Sequence, residues 1–260
     1  MTIVVLAKQV PDPEALVEVR SGGKELEIEQ KFATNLFDEF AIEEALRIRE
    51  KHGGKVTVIT LGGPKATELL RTALAMGADD VLFLEDPAFL EGDGYATALT
   101  LSKAVARQGA DLVLCGRQAI DDDRAEVGPM VAEFLGLPHV GAVLKLDIGD
   151  GTAVAERAVE GGREVVEVTL PAVITAAKGL NEPRVPQVMG VMKAMRAQIP
   201  RVSPEDLGLA PSDIGKAGSK LKIERYFTRQ KRAAVKLIEG TPEEQAAEAI
   251  RILAEVERVI

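Results

Sequence analysis

The apolar positions in the first half of the chain fall into short unbroken runs separated by stretches of helical spacing. Residues 3–7, IVVLA, form a continuous apolar run that predicts a buried parallel strand, ended by the prolines at 11 and 13. A polar stretch with a turn at Ser21-Gly22-Gly23 follows, and residues 35–51 then predict a helix. Phe37, Phe40, Ala41, Ala45 and Ile48 recur at helical spacing, while Asp38 and Glu39 lie in the first turn. Arg47, Arg49 and Lys51 match the helix dipole at the other end, and Gly53 supplies a stop. Residues 55–61, KVTVITL, predict a second strand broken at Gly62-Gly63-Pro64. A helix over 65–76, a strand over 80–84, a helix over 93–107 and a strand over 111–115 complete the series. This alternation predicts a doubly wound α/β fold with a mostly parallel sheet, right-handed crossovers placing helices on both faces.

Beyond Gly136 the period shortens. Segments 143–146, 152–158 and 164–170 alternate polar and apolar residues around glycine turns at 149–151 and 161–162, which predicts antiparallel strands appended to the sheet. Residues 171–175 read as a further buried strand, and 178–186, KGLNEPRVP, as an exposed loop. From 199 to 240 there is little apolar periodicity, and the stretch reads as an extended arm. Thr241-Pro242-Glu243-Glu244 then combines an N-cap, a proline at the first helical position and a capping-box Glu. Ala246, Ala249, Ile250, Leu253, Val256 and Ile260 make an apolar stripe on this last helix, which either packs on another chain or folds back on its own sheet. The expected division is an α/β domain over 1–224 and an arm plus helix over 225–260.

The chemistry concentrates after the strand at 111–115. An apolar run ends at Gly116, three aspartates stand together at 121–123, and Arg124, Ala125, Glu126 and Val127 start a helical pattern. A strand, a polar loop and a helix start in that order are where open α/β sheets bind nucleotides, because free helix N–H groups and the helix dipole favour phosphate. Three adjacent carboxylates repel one another unless donors or solvent satisfy them, so a bare acidic loop is the alternative. Clustered carboxylates could also hold Mg²⁺ for phosphoryl transfer, for which Arg117 and Arg124 are the nearby candidates for a phosphate clamp.

Much else is excluded. There is no GxGxxG after a strand, no GxxxxGK[ST], no HExxH and no GxSxG. The two histidines, His52 at a helix end and His139 after Pro138, have no metal-site neighbourhood, so no catalytic or metal-ligating residue is assigned. A net charge of −9 disfavours nucleic acid and anionic membranes. No apolar stretch approaches the ~18 residues of a membrane span. The first residues, MTIVVLAKQVP, read as a strand rather than a signal peptide, and a cytoplasmic location is expected. Cys115, the single cysteine, reads as an inert core thiol.

Six segments in order resemble the β subunit of electron transfer flavoproteins. They are Val5-Leu6-Ala7-Lys8-Gln9-Val10-Pro11-Asp12, Asn35-Leu36-Phe37-Asp38-Glu39 with Glu43-Glu44-Ala45, and Arg71-Thr72-Ala73-Leu74-Ala75-Met76-Gly77-Ala78-Asp79. Gly116-Arg117-Gln118-Ala119-Ile120-Asp121-Asp122-Asp123, Glu160-Gly161-Gly162 through 170–175, and Leu180-Asn181-Glu182-Pro183-Arg184 complete the set. The resemblance implies a non-enzymatic electron-carrier subunit, paired with an α subunit that holds most of the FAD site. Such an assembly takes electrons from acyl-CoA or related dehydrogenases, as in fatty acid oxidation, and passes them to a membrane quinone oxidoreductase. The β subunit buries AMP in a structural role.

By position, the resemblance places AMP against Leu6 and Ala7 at the end of the first strand, Asn35, Leu36, Phe37 and Asp38 at the start of the first helix, and Gly62. The loop and helix start supply Gly116, Arg117, Gln118, Ala119, Ile120, Asp121, Asp122, Asp123, Arg124 and Ala125, with backbone N–H groups near Glu126, Val127 and Gly128 suited to phosphate. Residue by residue a structural role stays open: Leu36 and Phe37 also read as core, and Asn35 as a plain N-cap. Leu180, on a loop with Asn181, Glu182, Pro183 and Arg184, reads as an exposed anchor for the dehydrogenase, with Glu182 and Arg184 either orienting the partner or pairing locally.

Electron-bifurcating relatives hold a second FAD in this pocket and tend to carry glycine at the middle aspartate and threonine after the third. Asp122 and Arg124 here resemble the AMP type. A stand-alone adenine-nucleotide-binding regulator and an ATP-using ligase or hydrolase are the alternatives from other classes.

Overall fold

Val5 sits at the centre of the molecule, fully buried, between Val58 and Leu114 of the two neighbouring strands. The computed structural model describes residues 1–228, 235 and 237–259. Ile260 and most of 229–236 therefore lie outside the described residues.

The chain begins with β1 (Thr2–Leu6), β2 (Gln9–Pro11), β3 (Val17–Arg20), β4 (Glu25–Ile28) and β5 (Phe32–Thr34), then α1 (Leu36–His52). There follow β6 (Lys55–Leu61), α2 (Thr67–Met76), β7 (Asp80–Leu84), α3 (Gly94–Gln108), β8 (Leu112–Gly116) and α4 (Val127–Leu135). After these come β9 (His139–Ile148), β10 (Thr152–Val159), β11 (Gly162–Thr169) and β12 (Ala172–Ala176). The last elements are α5 (Val188–Arg196), β13 (Arg201–Val202), α6 (Gly215–Gly218) and α7 (Pro242–Arg251), which runs on into a π-helical turn, Ile252–Val256.

The main sheet has nine strands in the order β11-β10-β9-β12-β8-β1-β6-β7-β13, and every pair from β9 to β13 is parallel. The β9–β10–β11 meander is antiparallel, as its glycine-punctuated alternation predicts. Successive residues of a strand face opposite sides, which splits the core in two. Ile3, Val5, Val56, Val58, Leu112 and Leu114 pack with α1 and α2, while Val4, Leu6, Ile59, Val113 and Val173 pack with α3 and α4. Cys115 is a buried free thiol on the second side; burial pushes its pKa up, reinforced by the nearby Asp38. That is the inert core thiol expected. No helix among the described residues is long and apolar enough to cross a membrane.

Three expectations change. The glycine turn at 21–23 closes a hairpin, β3 against β4, whose two short strands are too exposed to show a buried period. Helix α5 falls in a stretch with no predicted element, because only Ala194 of it is buried and its apolar residues face outward. Most importantly, 201–218 is no arm. β13 is the ninth strand, and Leu207, Leu209 and Ile214 are buried against the sheet. Short pieces of one or two anchoring residues carry no periodicity, so the sequence pattern cannot register them.

Candidate functional site

The chain winds from β1 outward to β6 and β7, then returns to set β8 on the other side of β1. The crevice beyond the carboxyl ends of β1 and β8 is thus the sheet's switch point, where ligands of this architecture bind.

The start of α1 closes the back of that crevice. Asp38 is 5% exposed and its carboxylate accepts the Lys8 N–H at 2.7 Å and the Gly116 N–H at 2.8 Å, joining the ends of β1 and β8. Burial is the larger influence and lifts its pKa to about 6 against these donors. Asn35, 1% exposed, makes no side-chain cap on its own helix. Instead its amide donates to the Gln118 carbonyl at 2.9 Å and accepts the Ile120 N–H at 3.1 Å, which holds the following loop. Leu36, read from the sequence as possible core, is 38% exposed, and Phe37 is half-buried with its Cβ against Gly116.

The loop over 117–126 is satisfied internally. Lys8 pairs with Asp121 at 2.8 Å and Asp122 at 3.5 Å, and Gln118 donates to Asp123 at 2.6 Å. The repulsion expected among the three aspartates is answered by one lysine, one side-chain amide and the Arg124 N–H, which Asp122 accepts at 3.2 Å. Lys8 was not singled out in the sequence; its place directly after the first strand was the available signal. Asp123 and Ala125 have positive φ, 53° each, which bends the loop back toward α4.

Helix α4 receives no side-chain cap at its first turn, and the Val127 and Gly128 N–H groups lead it. Arg124, paired with Glu126 at 3.0 Å, is exposed beside it, as is Arg117. Gly128 is buried where a Cβ would come within 2.6 Å of Thr175 Cγ2. Leu6 and Ala7 are buried at the β1 end, the Ala7 N–H already given to Ile59. A Cβ on Gly62 would stand 3.1 Å from that of Ala66, so packing as well as access favours glycine there. An uncapped helix start and exposed guanidinium groups are chemistry that can receive a phosphate group. No nucleophile–base pair stands among these residues.

The second expected surface is rearranged. Leu180 is half-buried and packs on the α1–α2 side of the core, so it is no exposed knob. Asn181 pulls it in, donating to the Phe40 carbonyl at 3.0 Å and to Glu44 at 2.8 Å. Arg184 does not pair with Glu182; it binds Glu43 at 2.8 Å and Glu50 at 2.6 Å, which raises its own pKa. Glu182 is exposed, its carbonyl accepting from Arg47, and Pro183 is half-buried. The exposed apolar surface comes next along the chain, on α5 and the residues leading into it. Val185 is 86% exposed, Val188 76%, Met189 77% and Met192 51%. No side-chain spacing distinguishes such a face from a core face, and the sequence reading passed over it. Arg71 seats α5 by donating to the Ala194 and Met195 carbonyls.

The third surface is the last helix. Its capping box is present as expected, Thr241 and Glu244 bonding each other's backbone N–H groups. None of its residues is buried, and Ile250, Leu253 and Val256 stand open to solvent, so the described stripe does not fold back on the sheet.

The fold is that of a doubly wound α/β protein with a candidate ligand crevice at the switch point of its sheet. Residues 26–207 match the model of the electron transfer flavoprotein domain. The chain is 42% identical over 252 residues to the electron transfer flavoprotein subunit beta of Thermoanaerobacterium thermosaccharolyticum, with 94% of each chain covered. It is 40% identical over 261 residues to the subunit of the same name from Bacillus subtilis, with full coverage of both. It is 39% identical over 249 residues to the caffeyl-CoA reductase-Etf complex subunit CarD of Acetobacterium woodii, 95% of each chain being covered. The chain belongs to the electron transfer flavoprotein family and is of its beta-subunit type.

Proposed function

We propose that this chain is the β subunit of a heterodimeric electron carrier that holds AMP in the β1–β8 crevice and shares FAD with an α subunit. The observation that supports the reading is the switch-point crevice, where Asp38 ties the ends of β1 and β8 together and α4 starts without a side-chain cap. Val127 and Gly128 offer backbone N–H groups to the nucleotide, Arg117 and Arg124 offer charge, and Leu36 offers apolar surface. Asn35 and Asp38 act from behind, because their polar atoms are engaged by the strand ends and the loop. FAD, when bound, carries the electrons; the AMP-holding crevice supplies rigidity. The open stripe of α7 packs on the α subunit, and the apolar face of α5 docks the electron-donating dehydrogenase, of the acyl-CoA or a related class. A quinone oxidoreductase receives the electrons.

Co-expression with the candidate α subunit tests this. A yellow equimolar heterodimer that releases AMP on denaturation supports the reading. Two flavins and no AMP per heterodimer would move the protein to the second reading, FAD in the crevice, which the likeness to a reductase–Etf complex subunit favours. A colourless monomer that cleaves ATP would sink both.

A further inference from the structure

The last helix has an unburied apolar stripe, and the chain that leads toward it leaves the domain after Ser219. Where the arm begins, one carboxylate takes up an unusual load. Asp93 caps α3, its Oδ1 accepting the Ala96 N–H at 3.0 Å. One oxygen is enough for a cap. The other, Oδ2, accepts the Lys220 N–H at 2.6 Å and the Leu221 N–H at 2.9 Å, the first two residues after the α6 turn closes at Ser219. The Asp93 N–H is itself given to Ser219 Oγ at 2.9 Å. The Lys220 ammonium lies 4.9 Å from the centre of the Tyr95 ring, on the same turn. Farther along, the Tyr226 N–H bonds the Gly23 carbonyl at 2.7 Å, so the arm is next held by the β3–β4 hairpin.

We propose that Asp93 is the positioning residue for α-subunit capture: it binds the root of the arm to the start of α3 and so fixes where the chain toward the C-terminal helix leaves the domain. This rests on the reading that α7 packs on the α subunit. A rooted arm shortens the free tether and raises the effective concentration of the helix at its partner site, and it lowers the ordering cost of docking. The turn is also in contact with the nucleotide loop. A Cβ on Gly94 would overlap the Glu126 carboxylate, so the loop and the arm root bear on one support.

Asp93→Asn separates the two jobs of the carboxylate. Asparagine caps a helix as well as aspartate, but its amide can no longer offer an oxygen on both sides, and an NH₂ group then faces the Lys220 and Leu221 N–H groups. In the heterodimer with the candidate α subunit, Asp93→Asn should raise the dissociation constant roughly tenfold, because the unrooted arm must then be ordered on docking. Hydrogen exchange at Lys220 and Leu221 should accelerate, while the amides of β1 and β8 keep their wild-type protection. Wild-type affinity, or wild-type protection of those two amides, overturns the assignment. Truncation before Thr241 keeps the underlying reading separate. Weakening on truncation together with wild-type affinity for Asp93→Asn defeats only the role of Asp93. Unchanged affinity on truncation removes the α7 contact and this inference with it.

Discussion

Asp38 and Gly116 are matched as acceptor and donor so closely that neither tolerates a change in the other. Asp38 Oδ1 accepts the Gly116 N–H at 2.8 Å, and the space that a Cβ on Gly116 would need is taken by that same oxygen and by the Phe37 Cβ at 2.6 Å. Both obstacles are packed atoms, so relief would require the start of α1 to move. Gly116→Ala should therefore cost on the order of 1–3 kcal/mol and reduce the AMP retained by the purified complex. Gly63→Ala, one residue past Gly62 with φ −76° and open space around it, should leave both unchanged. Denaturant unfolding and nucleotide release measured on the two variants decide this; equal effects would contradict the geometry.

The same carboxylate makes stability depend on pH. Folding lifts Asp38 from the usual 3.8 to about 6, chiefly through burial. Between these values the folded chain keeps a proton that the unfolded chain has released. Its contribution to stability is thus largest at the acid end and is lost as pH rises, by at most roughly 3 kcal/mol. Stability of the wild type minus that of Asp38→Asn should fall from about pH 4 to about pH 7 and then level off. A difference that is flat over this range would mean that Asp38 is not buried as described.

Arg184 and Glu43 form the opposite case. Glu43 is buried, which by itself raises its pKa, but hydrogen bonds from Arg184 and Arg47 outweigh this and hold it below the usual carboxylate range. The stabilisation is present above that range and disappears as pH falls through the lowered pKa. Arg184→Met leaves Glu43 with Arg47 and the backbone N–H of residue 184 and should cost about 1–3 kcal/mol at neutral pH, discounted because Arg184 is partly exposed. The penalty should shrink toward acid. A pH-independent penalty would indicate lost packing of the arginine stem instead.

Docking should follow exposure rather than the loop leucine. Met192→Asp places a charge on the open face of α5, where Met192 is 51% exposed. It should raise the apparent KM of the heterodimer for its reduced dehydrogenase about tenfold or more, equivalent to ~1.4 kcal/mol or more. Tm and FAD content should not change. Leu180→Ala should do the reverse, lowering stability by about 1–2 kcal/mol as a half-buried core-edge residue with little effect on KM. If Leu180→Ala alone impairs electron transfer, α5 is not the docking face.

The order of main-sheet strands and helices through Gly116, the meander and the capped last helix were legible along the chain. These are features of local periodicity, of glycine turns and of capping chemistry, each complete within a dozen residues or so. The loop at 116–128 was recognisable as a strand end leading into a helix start. What the chain could not show is who satisfies whom across long separations. Lys8 neutralises Asp121 and Asp122, and Asn35 spends its amide on residues 118 and 120 rather than on its own helix. Arg184 passes over Glu182, two residues away, for Glu43 and Glu50 on α1. Leu180 and Met192 look alike as apolar residues near prolines and glycines, and only the packing sends one inward and leaves the other open. The sequence by itself determined the alternation of buried and solvated surface, because that is set by each residue's own transfer free energy. The tertiary structure alone decided the pairing of charges and the direction of exposed faces, because those depend on distances between segments that the chain brings together only when the sheet has formed.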